Sequence, residues 1–265
     1  VRADGGARLD GGVSTLAIIV IATALSGLLS AACAVVVLLL PARLRARGLP
    51  HLVSFATGAL LGAALLALLP HAIEGAGEGG AHGIGLALVG GLLLFFVLEK
   101  LVLWRHCHGE HHDDPHEQAA AWLVLVGDAL HNALDGVLIA AAFLTDFNLG
   151  IATALAVAAH EIPQEVGDFA VLLNAGWSRA RALWCNFATS LTAVVGGVAA
   201  WFSLQPVLGV LPWVLAVAAA SLLYVAVADL IPGLHRRSDL RSSLMQSTLI
   251  GAGVLIIALI ERSAH

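Results

Sequence analysis

Long apolar runs separated by short polar stretches recur along the whole chain. This pattern predicts helical membrane crossings at about 14–40, 52–71, 83–103, 119–143, 149–173, 181–203, 211–232 and 246–262. The first run, Val13 to Leu40, is about twice as long as a secretory signal core and reads as a crossing that stays in the membrane. Two crossings break the apolar rule. The fourth contains Asp128, His131, Asn132 and Asp135, and the fifth contains His160, Glu161, Gln164, Glu165 and Asp168. A charge at mid-bilayer costs roughly 2.5–3.5 kcal/mol on insertion scales. Groups of this kind need an interior that is lined by protein, hydrated or occupied by metal.

Composition supports the membrane reading. Of 265 residues, 59% are hydrophobic and 12% charged, and the mean hydropathy is +0.92. Soluble domains carry roughly 25% charged residues, so this chain cannot coat a water-soluble globule. A soluble enzyme, a disordered chain and a nucleic-acid binder with a basic face are excluded. The three cysteines, Cys33, Cys107 and Cys185, match no zinc-ribbon or redox spacing. The expected fold is all-α, a polytopic membrane protein in the lipid bilayer, with residues 1–265 forming a single transmembrane domain.

The basic residues give an orientation. Arg43, Arg45, Arg47, Lys100, Arg105, Arg179, Arg181, Arg236, Arg237 and Arg241 all fall in or flank the odd-numbered loops, leaving Arg2, Arg8 and Arg262 at the termini. With eight crossings, ten of the thirteen Lys and Arg lie on one side. The positive-inside rule makes that side cytoplasmic and puts both termini outside.

Helical spacing brings the polar residues into rows. Residues i and i+4 share a helix face. His131 therefore stacks with Asp135, His160 with Gln164, and Glu161 with Glu165, while Asp168 continues the Gln164 row. Imidazole and carboxylate are ligands for divalent transition metals, zinc in particular. Pro163 removes a backbone donor and frees the carbonyl of Ala159. This predicts a kinked helix like those at transporter sites. Gly58 and Gly62 offer a surface for close helix contact.

These residues carry a resemblance. His131-Asn132-x-x-Asp135-Gly136 together with His160-Glu161-x-Pro163-x-Glu165-x-Gly167-Asp168 resembles the signature of the ZIP (Zrt/Irt-like) metal transporter family. The likeness is to the branch whose fifth crossing reads HExPHExGD. Leu69-Pro70-His71 and the stretch from Leu223-Tyr224-Val225-Ala226 to Pro232 agree, so the likeness covers about 14–262. It implies eight helices with both termini outside, in a multi-pass protein of the cell (inner) membrane, and suggests a homodimer.

The resemblance also implies a metal path. His131, Asp135, His160 and the Gln164 position correspond to one metal site. Asn132 and Glu161, sharing the Gln164 position, correspond to an adjoining one. Gln164 stands where that branch usually has His, and Ala67 where related sequences often have His. His71 and Asp128 are candidate waypoints, and Glu165 and Asp168 further candidate ligands. Family members often carry a His-rich cytoplasmic loop between the third and fourth crossings. Here residues 104–118 hold His106, His108, His111, His112 and His116.

The expected function is transport of zinc, or of a similar divalent metal ion such as iron, manganese or cadmium, toward the cytoplasm. Mixed nitrogen and oxygen ligands do not choose among these metals by affinity alone. Two other readings compete. An intramembrane zinc metalloprotease would use His160-Glu161 with Leu134-Asp135-Gly136. Its second His, due at i+4, is replaced by Gln164, Pro163 interrupts the helix, and the order of the two elements is reversed. A membrane metal sensor would bind without transport.

Overall fold

The computed structural model describes residues 12–107, 115–235 and 239–262. They form eleven α-helices: α1 Gly12–Leu39, α2 Ala42–Gly62, α3 Leu69–Gly75, α4 Ala81–Cys107, α5 Pro115–Thr145, α6 Phe147–Asn174, α7 Arg179–Ser190, α8 Thr192–Leu204, α9 Leu211–Tyr224, α10 Ile231–Leu234 and α11 Leu240–Arg262. Hydrocarbon offers no partner to backbone polar groups, and a helix satisfies its own. The chain is an all-α, polytopic membrane protein. Six helical stretches among the described residues are long and apolar enough to cross a membrane. One of them, Arg179–Leu234, has 56 residues, and its backbone breaks at Val207 (φ −132°, ψ 46°).

The helices are joined by short, well-defined devices. A single extended residue, Asp146, links α5 to α6, and its carboxylate accepts from the N–H groups of Asn148 and Leu149 at 2.8 and 3.0 Å. That cap forces a reversal within one residue. At the other end of α6, Gly176 takes a positive φ of 80°. Trp177 N–H then returns to the Leu172 carbonyl and Gly176 N–H to that of Leu173, a Schellman ending that only glycine adopts without strain. Ser178 caps α7 by accepting from Arg181 N–H.

Pro163 does not interrupt α6, which runs unbroken from Phe147 to Asn174. The backbone widens elsewhere. Ala63–Leu68 and Val225–Leu230 each form a π-helical turn, two residues before Pro70 and Pro232 respectively. Both prolines withdraw a donor and crowd the preceding turn, which a wider turn relieves. The Pro163 ring, by contrast, is absorbed without such a turn.

Small residues set how closely the helices pack. Lipid supplies no hydrophobic drive between helices, so dispersion over close backbones must hold them. Ala63, Ala64, Ala67, Ala216, Ala218 and Ala219 are fully buried. Helix α5 lies along α8 and α2 along α11. At the first contact a Cβ on Gly136 would overlap the Ala193 carbonyl, and one on Gly196 the Ala133 carbonyl. At the second, Gly58 meets the Ile250 backbone and Gly253 the Phe55 carbonyl, which gives Gly58 the contact role its spacing predicts. Large apolar side chains such as Leu25, Leu86, Leu93 and Leu255 face outward, as a lipid-facing surface requires.

Gly136→Val or Gly196→Val should therefore separate α5 from α8. Overpacking of this type costs about 1–3 kcal/mol. We expect a lowered melting temperature in detergent for both, with Gly251→Val, at a position with open space around it, unchanged.

Candidate metal centre

Four side chains converge between α5 and α6. One nitrogen or oxygen atom from each of His131, Asp135, His160 and Glu161 lies within 4.8 Å of the other three. His131 Nε2 is 3.1 Å from His160 Nε2, 3.8 Å from Asp135 Oδ2 and 3.6 Å from Glu161 Oε1. His160 Nε2 is 3.3 Å from Asp135 Oδ2 and 3.5 Å from Glu161 Oε1. A tetrahedral ion with bonds of about 2.0–2.2 Å to N and O has ligands roughly 3.3–3.6 Å apart. The five separations scatter closely about that edge.

The local chemistry favours a cation. His160 Nδ1 donates to the Ala156 carbonyl at 3.2 Å. That bond fixes the ring, and in the neutral imidazole it leaves the Nε2 lone pair facing the cluster. Asp135 Oδ2 and both carboxylate oxygens of Glu161 are buried and accept no hydrogen bond. Two carboxylates and two neutral imidazoles carry a charge of −2, which a divalent cation cancels. Asp135, His160 and Glu161 have side chains only 1–2% exposed, whereas His131 is 24% exposed. His131 is therefore the ligand that faces the way in or out.

The structure exchanges two residues relative to the expected sets. Glu161, expected at an adjoining site, sits in this cluster. Gln164, expected within the cluster, lies one turn further along α6 and donates its amide to Asp128 Oδ1 at 3.3 Å. Asn132 donates to the same oxygen at 2.9 Å and to the Asp128 carbonyl at 3.2 Å. An amide offers donors, and the nearby carboxylate takes them. The other oxygen of Asp128 is buried and accepts no hydrogen bond. Asp128, Asn132 and Gln164 thus form a second polar group beside the first.

The remaining candidates are dispersed. Glu165 is buried against α7, where Ser190 Oγ donates to its carboxylate and Asn186 to its backbone carbonyl. Asp168 is half-buried one turn beyond Gln164. His71 donates from Nδ1 to the Ala67 carbonyl at 3.0 Å and lies 4.0 Å from Glu261 Oε2. His108, His111 and His112 lie outside the described residues, as do the side chains of His106 and His116. Sequence reasoning passed over Asn186, Ser190 and Glu261. A signal existed for each: Asn186 and Ser190 are an i, i+4 polar pair in an apolar run, and Glu261 is a carboxylate within the last helix.

Two imidazoles and two carboxylates, all but His131 buried, brought together between neighbouring helices define a metal-binding membrane protein. Comparison with known proteins says which kind. Residues 104–261 match the family described as ZIP Zinc transporter. The zinc transporter ZIP13 of Pongo abelii is 34% identical over 223 residues, covering 80% of this chain and 66% of that protein. ZIP13 of Mus musculus is 32% identical over 252 residues, covering 80% and 70%. Zinc transporter ZIP4 of Mus musculus is 33% identical over 261 residues, covering 72% and 39%. The chain belongs to the ZIP zinc transporter family. It spans about two thirds of the length of the ZIP13 relatives and about two fifths of ZIP4. That family is one of transporters, so the protease reading falls.

Two results should follow from the cluster. Coordination uses neutral imidazole, so protons compete with metal for His131 and His160. Zinc affinity of the purified chain should fall as pH drops from about 7.5 to 5.5, read by titration with a competing chelator. Glu161→Gln keeps the shape and removes one charge from a buried cation site, which should weaken zinc at least about a hundredfold in the same titration.

Proposed function

We propose that this chain carries zinc, or a related divalent cation such as iron, manganese or cadmium, across the membrane toward the cytoplasm, with His131, Asp135, His160 and Glu161 as the central ligands. The observation that carries the proposal is the convergence of these four groups, with one ligand atom from each within 4.8 Å of the other three. Their depth agrees with it. His160 is the fourteenth of the 28 residues of α6, about 20 Å from its start, which is near the middle of a bilayer.

Eight crossings with both termini outside fit the helices. The 56-residue stretch counts as two on either side of the Val207 break. Helix α6, whose polar residues dilute its apolar character, adds one more to the six. With that orientation α6 runs toward the cytoplasm. The cation then leaves the cluster past Asp128 and past Asp168. Asn132 and Gln164 hold Asp128 in place, while Glu165 is occupied by Ser190. His71 and Glu261 supply an approach on the other side. The His-rich segment 104–118 collects metal at the exit. The chain works as a single transporter domain in the cell (inner) membrane, in the branch marked by HExPHExGD. The homodimer is carried over from the resemblance, and Gly85 and Gly90 on lipid-facing α4, with open space around them, leave room for it.

Zinc uptake into proteoliposomes tests the reading. His131→Ala and His160→Ala should each abolish flux while the protein remains folded. Gln164→His should tighten zinc binding, by adding an imidazole one turn from the cluster. Saturable zinc binding by the wild-type chain with no flux in either direction would replace the transporter by a sensor.

A further inference from the structure

Away from the metal cluster, a cavity of about 260 Å³ opens between α1, the start of α2, α6 and α7. Its wall is apolar, with Leu38, Phe169, Leu173 and Leu183, and it also carries two arginines, Arg45 and Arg179. No acidic residue lines it among the described residues. Arg45 is half-buried and donates from Nη1 to the Leu38 carbonyl at 3.3 Å, which holds its guanidinium against the last turn of α1. Arg179 is the exposed first residue of α7. A cavity that joins a hydrocarbon wall to two cations, one of them held in place, asks for a ligand with an apolar tail and an anionic head.

The level in the membrane agrees. Two residues before Arg179, Trp177 packs edge-to-face with Trp122, ring centroids 5.3 Å apart, and the Arg181 guanidinium lies 3.7 Å from the Trp177 ring centre. Tryptophans gather where hydrocarbon meets headgroups. The cavity therefore straddles that boundary, apolar on one side and basic on the other. Basic pockets between membrane helices recognise phosphate-bearing lipid headgroups, and arginine suits them by its forked donors.

We propose that this cavity is a binding site for an anionic phospholipid, with its phosphate on Arg45 and Arg179 and an acyl chain along Leu38, Phe169, Leu173 and Leu183. The site is separate from the metal cluster, and its occupancy does not depend on transport. A second copy of the chain is a poorer occupant, because a two-fold contact here would bring the same arginines face to face.

Native mass spectrometry of the full chain, released from nanodiscs holding equal phosphatidylglycerol and phosphatidylcholine, tests this. We expect selective retention of phosphatidylglycerol. The double variant R45Q/R179Q should weaken it roughly thirtyfold, about what two surface arginines contribute toward anionic lipid. A170W, which fills the cavity and leaves both arginines, should also reduce retention, whereas R241Q, on the exposed start of α11, should not. Equal retention of the two lipids by the wild type would overturn the proposal, and so would an unaltered preference in R45Q/R179Q. Retention lost only when a dimer dissociates would assign the cavity to a second copy and overturn it as well.

Discussion

Charge balance in a medium that cannot solvate charge is the constraint on which this molecule rests. Asp135 and Glu161 sit fully buried in two helices that lipid surrounds at a distance. Neither carboxylate could stay there against hydrocarbon, where an isolated ion is expelled or neutralised. Pairing each with an imidazole leaves a site still short of positive charge. A divalent cation completes it. The same shortage that makes the empty cluster costly makes its occupied form favourable, so the binding site and the instability of the empty site are one feature.

Such a cluster works only if two helices hold their register to within a fraction of an ångström. The structure fixes α5 from several directions. Gly136 and Gly196 let it touch the α8 backbone, and Thr192 Oγ1 donates to the Ala129 carbonyl at 2.6 Å. Asp146 joins it to α6 through one residue, which sets the offset between His131 and His160. The ligands are therefore positioned by contacts that lie outside the site. The Ala156 carbonyl adds the last restraint, on the ring of His160.

Much of this was legible in the residues. The apolar runs mark the helices, and i, i+4 spacing places His131 over Asp135 on one face. Spacing along one helix does not say what the facing helix presents. Gln164 lies against Asp128, on α5, which accepts a hydrogen bond that an amide can give and a carboxylate cannot, while Glu161 lies with His131. The wide turns are harder to read from the residues, for a similar reason. Proline marks a place where a turn must adjust, but packing decides whether it widens. Pro163 is accommodated within α6, while Pro70 and Pro232 each follow a wide turn. The break at Val207 falls at the boundary that polar Gln205 and Pro206 foreshadow.

The helix pairings carry a hidden symmetry. Helix α5 lies on α8 as α6 lies on α1, and α9 lies on α4 as α2 lies on α11. Exchanging α1 with α8, α2 with α9, α4 with α11 and α5 with α6 reproduces every one of these pairs. The wide turns obey the same exchange: Ala63–Leu68 packs on α9, and Val225–Leu230 packs on α2. With eight crossings, the exchanged members run in opposite directions, since four crossings lie between the members of each outer pair. This is the arrangement of inverted repeats, whose substrate site lies where the repeats meet. The metal cluster obeys the exchange in its chemistry too, since α5 and α6 each contribute one imidazole and one carboxylate. A site built equally from both halves has no intrinsic preference for either face of the membrane. What distinguishes the two mouths is then the residues that break the exchange: Asp128 with its two amides beside the cluster, and His71 with Glu261 away from it.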